Sequence, residues 1–230
     1  MTDDLDPRPP SRARAGMALL LVSALLAATG TVSLYAFLRS GNDEPQLPTV
    51  DGPEVPGGFR RVGGPLFSLG VPDAWSAVPL TGEKIEELLE RTELDPAMEE
   101  LVGGLGDNAV LFAYDPDDPA SNLSVLRRSS SGTTPQAVRE QATALLGTEV
   151  DATDLESEIV SLPAGTAVRI GFVNHQEVDG RRVDIGQTQY HVFAGPWIYV
   201  LTVSGEGLGA RDVATVARSI DVEARSVTSA

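Results

Sequence analysis

His175 and His191 are the only two imidazoles in the 230-residue chain. A shared metal ion or a histidine general base would have to start from them, because imidazole alone changes charge near neutral pH and is the commonest metal ligand. Both lie in one stretch rich in β-branched and aromatic residues, interrupted by Asp179-Gly180, a dipeptide that favours the tight primed turn of a hairpin. With that turn position 178 faces 181, and the register places His175 opposite Asp184 and His191 opposite Val168. The two rings are then about seven rungs apart, too far to hold one ion. His175 is expected to form an ordinary cross-strand pair with Asp184, and each histidine to have a structural or surface role.

Other chemistry-bearing patterns fail on context. Asp115, Asp117 and Asp118 in Tyr114-Asp-Pro-Asp-Asp-Pro119 lack the glycine and distal glutamate of a calcium loop and read as a proline-punctuated turn. Gly205-Glu-Gly207-Leu-Gly209-Ala210 matches a dinucleotide fingerprint, but it follows antiparallel hairpins and leaves about twenty residues, too few for a second parallel strand. No G-x-S-x-G elbow occurs, and Ser129-Ser-Ser131-Gly132 reads as a loop. With 33 acidic residues no carboxylate pair stands out for glycoside chemistry, and the glutamates of residues 83 to 100 read as the wet side of a helix. The absence of cysteine removes disulfides, thiolate metal sites and thiol nucleophiles. No catalytic, cofactor-binding or metal-ligating residue is therefore assigned, no cofactor is implied, and the chain is expected not to be an enzyme.

Placement is more legible than chemistry. Ala15 to Leu38 runs 24 residues without a charge, about 36 Å of helix at about 1.5 Å per residue, enough to cross a bilayer core of about 30 Å. Arg8, Arg12 and Arg14 precede it, and only Arg39 follows closely, which sets the N-terminus inside and the remainder outside. A cleaved signal peptide ending near Ala27-Ala28-Thr29-Gly30 is the competing reading, but the apolar run continues to Leu38, longer than such a signal requires. A lipidated N-terminus would need a cysteine. The net charge of −16 lies entirely beyond residue 38; so acidic a surface repels nucleic acid and anionic headgroups and favours solubility.

The chain divides into a short cytoplasmic tail (1–14), a single transmembrane helix (15–38), a Pro/Gly-rich extracytoplasmic stalk (39–58), one globular domain (59–224) and a C-terminal tail (225–230). Within the domain, Leu66 to Val71 alternates as a strand before Pro72, and Trp75 follows as a core anchor. Gly82 to Leu105 is patterned as a helix split at Pro96. Short strands are expected at Ala109 to Ala113 and Leu123 to Arg127. A helix is expected between Thr134, an N-cap candidate followed by Pro135, and Gly147. Three long strands follow, Thr166 to Gln176, Arg182 to Ala194 and Trp197 to Ser204, and a last helix covers Gly209 to Ser219. Trp197 is expected to be a second core anchor. The fold class is α+β, a central antiparallel β-sheet flanked by helices.

The strand ending at Pro72 with Trp75 just beyond, and the late strand Trp197-Ile-Tyr-Val-Leu-Thr-Val-Ser204 followed by a helix and Ser219-Ile220, resemble the PsbP-like superfamily over roughly Pro65 to Val222. Within that superfamily the chain looks most like the short extracytoplasmic proteins of actinobacteria, many of them lipoproteins of the LpqN type. The resemblance implies an α/β/α sandwich, and it transfers no site, because the family shares no catalytic motif. This chain differs from the lipoprotein members in carrying a membrane span where they carry a lipidated cysteine. Two functions follow as expectations. One is a non-catalytic interaction module of the bacterial cell envelope, anchored in the bilayer through residues 15–38 and partnered by an envelope or secretion protein. The other is a lipid or small-ligand binding domain with a pocket between sheet and helices, for which an apolar cavity lined by Phe172, Phe193 and Trp197 would be the mark. An exposed apolar patch would favour the first.

Overall fold

The computed structural model describes residues 47, 49–64, 67–79, 109–118, 121–150, 152–178, 181–205 and 208–222. The expected membrane span, the helix expected between Gly82 and Leu105, and the turn dipeptide Asp179-Gly180 lie outside the described residues. Among those described, no helix is long and apolar enough to cross a membrane.

Among the described residues nine strands and two helices follow one another: β1 (Phe59–Gly64), β2 (Phe67–Pro72), β3 (Ser76–Pro79), β4 (Ala109–Tyr114), β5 (Asn122–Ser129), α1 (Pro135–Glu149), β6 (Thr153–Leu162), β7 (Gly165–Val178), β8 (Arg181–Ala194), β9 (Trp197–Ser204) and α2 (Ala210–Arg218). β1 and β2 form a separate hairpin, and the other seven strands form one sheet in the order β3-β4-β5-β9-β8-β7-β6. Every pairing is antiparallel.

Because side chains alternate across a strand, each strand feeds two layers. One face carries Leu123, Val125, Ala167, Tyr190, Val192, Tyr199, Leu201 and Val203, which cluster with the β1–β2 hairpin, Trp75 and α2. The other carries Leu126, Val168, Ile170, Phe172, Ile198 and Val200, which cluster with α1. A sheet with a helix on each face is the expected sandwich, here with a β-hairpin added to the α2 layer.

Both helices are built as their sequences dictate. The Thr134 hydroxyl accepts a 3.2 Å hydrogen bond from the Ala137 amide and Pro135 occupies the first turn, which satisfies a donor that the helix leaves open. Val138, Ala142 and Leu146, four residues apart, form the buried stripe. The helix continues through Gly147 to Glu149, slightly beyond the expected stop. α2 is capped by Gly209, places Asp212 in its first turn and Arg218 in its last, matching the helix dipole, and buries Val213, Val216 and Ala217.

The hairpin is fastened by Arg61, which is 4% exposed. Its guanidinium donates to the Pro53 carbonyl at 2.8 Å, the Ser68 hydroxyl at 3.0 Å and the Ser219 carbonyl at 2.9 Å. Ser68 and Asp221 exchange backbone hydrogen bonds of 2.9 and 2.8 Å. The Leu47 amide reaches the Ala77 carbonyl at 2.7 Å and Thr49 bridges to Val62, which takes these residues out of the expected stalk. At the start of β7, Gly165 is required by contact as well as conformation. Its φ is +144°, and a Cβ there would lie 2.2 Å from the Phe193 carbonyl oxygen.

Candidate functional site

The face of the sheet toward α1 changes character along its length. Near α1 the rung Leu126–Val200–His191–Val168 is apolar except for the imidazole, and Ile198 and Phe193 pair on the next rung. In the opposite direction the same strands present Ser124–Thr202–Gln189 on one rung and Asn122–Ser204–Gln187 on the next. Asn174 lies beyond, opposite Ile185. With strands about 4.8 Å apart and same-face residues about 6.7 Å apart along a strand, these side chains form a polar belt about 10 Å wide across β5, β9 and β8.

The belt is buried. Gln189, His191 and Thr202 are 0% exposed and Gln187, the most open of the set, is 4% exposed. Hydroxyl, amide and imidazole groups withdrawn from water are ordinarily paired. Here Ser124 Oγ, Thr202 Oγ1, Ser204 Oγ, Gln189 Nε2, Asn174 Nδ2, both amide atoms of Gln187 and His191 Nδ1 make no hydrogen bond among the described residues. Each such group costs about 1–3 kcal/mol when left dry, so the belt calls for water or a ligand with matching donors and acceptors.

His191 and Gln189 fix the electrostatics. Burial, reinforced by the positive charge of Arg128, lowers the His191 pKa to about 3, so the ring is neutral at physiological pH. Its Nε2 lies 3.3 Å from Gln189 Oε1; with that oxygen accepting, the ring proton sits on Nε2 and Nδ1 is left as an acceptor. Burial also lowers the pKa of Arg128. The belt itself is uncharged, made of hydroxyls, carboxamides and one neutral imidazole. A base of such low pKa removes a hydroxyl proton poorly at neutral pH, and the described contacts of His191 include no serine or threonine hydroxyl. The arrangement suits recognition better than nucleophilic attack.

The residues weighed in the sequence separate as their register requires. His175 faces Asp184 and His191 faces Val168. His175 Nδ1 meets Asp184 Oδ1 at 2.7 Å and its Nε2 meets Thr153 Oγ1 at 3.1 Å, a cross-strand pair at the sheet edge. Among the described residues no three His, Asp or Glu side chains gather as metal ligands. Asp115 accepts from the Asp117 amide at 2.9 Å and Asp118 from the Ser121 hydroxyl at 2.6 Å, the bonding of a turn. Gly209 caps α2 after an antiparallel strand, which is not the βαβ context of a dinucleotide site.

The cavity imagined among Phe172, Phe193 and Trp197 does not form, for a reason of parity. Phe172 and Phe193 point to the α1 side, whereas Trp197 packs with the opposite cluster. Trp75 is a core anchor at 4% exposure. Trp197 is only half-buried, with the Arg127 guanidinium 4.5 Å above its ring. The exposed large apolar residues are Ile159 at 43% and Val183 at 41%, too few for an apolar docking patch among the described residues. The belt itself escaped the sequence reading, because polar residues on alternate positions of a strand ordinarily mark the solvent face.

No protein-family model matches the chain, and no curated protein matches it. Solved structures similar to this chain include three from different bacteria. Cyanobacterial PsbP (CyanoP) from Synechocystis sp. PCC 6803 is 13% identical over 76% of this chain and 98% of its own, with a TM-score of 0.47. A protein from Bacteroides thetaiotaomicron VPI-5482 is 12% identical over 72% of this chain and 48% of its own, at 0.42. LpqN of Mycobacterium tuberculosis, described as involved in cell envelope biogenesis, is 13% identical over 70% of this chain and 84% of its own, at 0.38. The resemblance read from the sequence, PsbP-like with an LpqN-type neighbour, meets these same proteins. At such identities no residue role passes from them to this chain, and the architecture rests on its own strand order and register.

Proposed function

We propose that this protein is a membrane-tethered, non-catalytic binding module of the bacterial envelope, whose polar sheet face receives a small uncharged ligand rich in hydroxyl or amide groups. One observation carries the reading: among the described residues the buried side chains of Ser124, Thr202, Ser204, Gln187, Gln189, Asn174 and His191 keep neutral donors and acceptors without a hydrogen-bond partner. An apolar ligand would leave those groups unsatisfied, and a cation would be repelled by Arg128, whose charge already reaches His191, whereas the belt's own side chains are neutral and match neutral donors and acceptors. The charge-free run from Ala15 to Leu38 supports anchoring with the domain outside, where it would exchange its ligand with an envelope or secretion partner.

Two experiments test this. The chain has no cysteine, so a Ser131→Cys variant carries a single thiol on an exposed loop. A membrane-impermeant maleimide labels it in intact cells if the domain is outside, and fails to if it is inside. For binding, full-length protein extracted gently from its own membranes is expected to melt above the same protein refolded from urea, because a ligand bound only to the native state raises its stability. Replacing Gln189 with Leu and Thr202 with Val abolishes that difference. A difference that persists in this variant places the ligand elsewhere.

A further inference from the structure

On the opposite face of the sheet, between α2 and strands β6 to β8, lies a cavity of about 260 Å³. Its floor is one rung of the sheet, Glu158–Arg169–Tyr190, and Arg218, from the last turn of α2, joins Arg169 and Tyr190 in its lining. Val160, Leu162 and Val213 supply apolar walls. We propose that this groove binds an amphiphile with a small anionic headgroup, a phosphate monoester or carboxylate on an apolar chain, with the headgroup at Arg169, Tyr190 and Arg218.

Three features point to an anion. The groove gathers two guanidiniums in a chain whose net charge is −16. Arg218 makes no ion pair among the described residues, whereas Arg169 pairs with Glu158 at 3.0 Å. Tyr190 is the cross-strand partner of Arg169, which sets its phenol beside that guanidinium with its own O–H available to donate. Burial raises the Tyr190 pKa, against the opposing pull of Arg169 and Arg218, so the phenol keeps that proton at neutral pH. A headgroup oxygen can therefore take a phenol proton donor and a guanidinium together, the charge-assisted pattern that favours phosphate and carboxylate.

The apolar walls and the volume restrict the rest of the ligand. A site of about 260 Å³ lies below the usual range of about 300–1,000 Å³ for drug-sized ligands. It accommodates a headgroup and the first few carbons, with the remaining chain leaving by the open mouth. Glu158 is the built-in competitor: it occupies Arg169 when the groove is empty and repels an incoming anion.

The test is isothermal titration of the full-length chain in a nonionic detergent with hexyl phosphate, with inorganic phosphate and hexyl glucoside as controls. Hexyl phosphate is expected to bind one to one, at least about tenfold more tightly than either control. Arg218→Gln lowers its affinity about tenfold and Tyr190→Phe several-fold, as expected for lost charged and neutral hydrogen bonds. Glu158→Gln raises it several-fold, a gain that a damaged fold would not produce. The proposal is overturned if inorganic phosphate or hexyl glucoside binds as tightly as hexyl phosphate. It is equally overturned if Arg218→Gln leaves the affinity unchanged or Glu158→Gln weakens binding. Because Arg218 is exposed and lies on the other side of the sheet from the belt, its loss is not expected to disturb the polar face.

Discussion

Thr202→Val separates a binding belt from a structural one. Thr202 is 0% exposed, pairs with Ser124 on one side and Gln189 on the other, and its hydroxyl makes no hydrogen bond among the described residues. Valine keeps the shape and the β-branched preference for a strand while removing a group whose desolvation costs about 1–3 kcal/mol when unpaired. Taking the lower end, to allow for water that meets part of the need, the ligand-free variant should gain about 1 kcal/mol. For a chain of this size that is a rise in melting temperature of about 2–4 °C. The measurement is thermal unfolding of full-length protein refolded from urea, followed by the fluorescence of Trp75 and Trp197, the only tryptophans. Greater stability with weaker ligand retention is the trade expected of a binding site held open at the expense of the fold. A fall of 2 °C or more, taken as about the smallest decisive change, would refute the reasoning, since it would mean that the hydroxyl is bonded in the folded state.

His191, neutral and buried with a pKa lowered to about 3, takes up a proton on unfolding below its ordinary value of about 6.5. The unfolded state then binds more protons, so stability is complete above pH 6.5 and falls as the pH drops toward 3, by at most about 2 kcal/mol between pH 6.5 and 5. Urea unfolding across that range should show the slope, and His191→Gln should flatten it. Trp75→Ala should cost about 3–5 kcal/mol as a core truncation, whereas Trp197→Ala, half-buried under Arg127, should cost clearly less; equal losses in chemical denaturation would contradict the assigned burial. Arg61→Leu removes three hydrogen bonds, two that join the hairpin to the Pro53 segment and the end of α2 and one to Ser68 across the hairpin, and should lower stability by about 3 kcal/mol, read as a shifted urea midpoint with an unchanged slope.

The sequence revealed the parts of the fold that are specified locally. Asp179-Gly180 was enough to set the β7–β8 register, and through it the partners of both histidines, because a two-residue turn leaves the pairing no freedom. Thr134 and Pro135 announced the start of α1, and Trp197 to Ser204 was legible as an unbroken β-branched and aromatic run. Strand β6 was not foreseen. Its Asp154, Glu156 and Glu158 weaken the strand signal, and the strand is set by pairing with β7 at the sheet edge. β1 was missed because its short Phe59–Gly64 run carries two arginines and two glycines, and one of those arginines, Arg61, is buried by tertiary hydrogen bonds alone.

The candidate site was harder to see for a related reason. Thr202 and Ser204 alternate with apolar residues, and Gln187 and Gln189 flank Thr188 in a polar run, as the wet face of an antiparallel sheet does. Only the assembled fold shows them to be 4% exposed or less. A signal was nonetheless present in β9, where Ile198 and Val200 continue on the same face as Thr202 and Ser204, so that face changes from apolar to polar within a single strand. The groove under α2 was equally hidden, since Glu158, Arg169, Tyr190 and Arg218 come from four separate elements and only the register brings the first three into one row.

The central claim, that the belt holds a small uncharged ligand, is tested most directly by native mass spectrometry of the full-length chain released gently from its own membranes, alongside the Gln189→Leu, Thr202→Val double variant. The account predicts that the unaltered protein carries an added mass of one neutral, polar small molecule and that the variant, still folded, carries none. A bare polypeptide mass for both, or the same added mass on both, would contradict it.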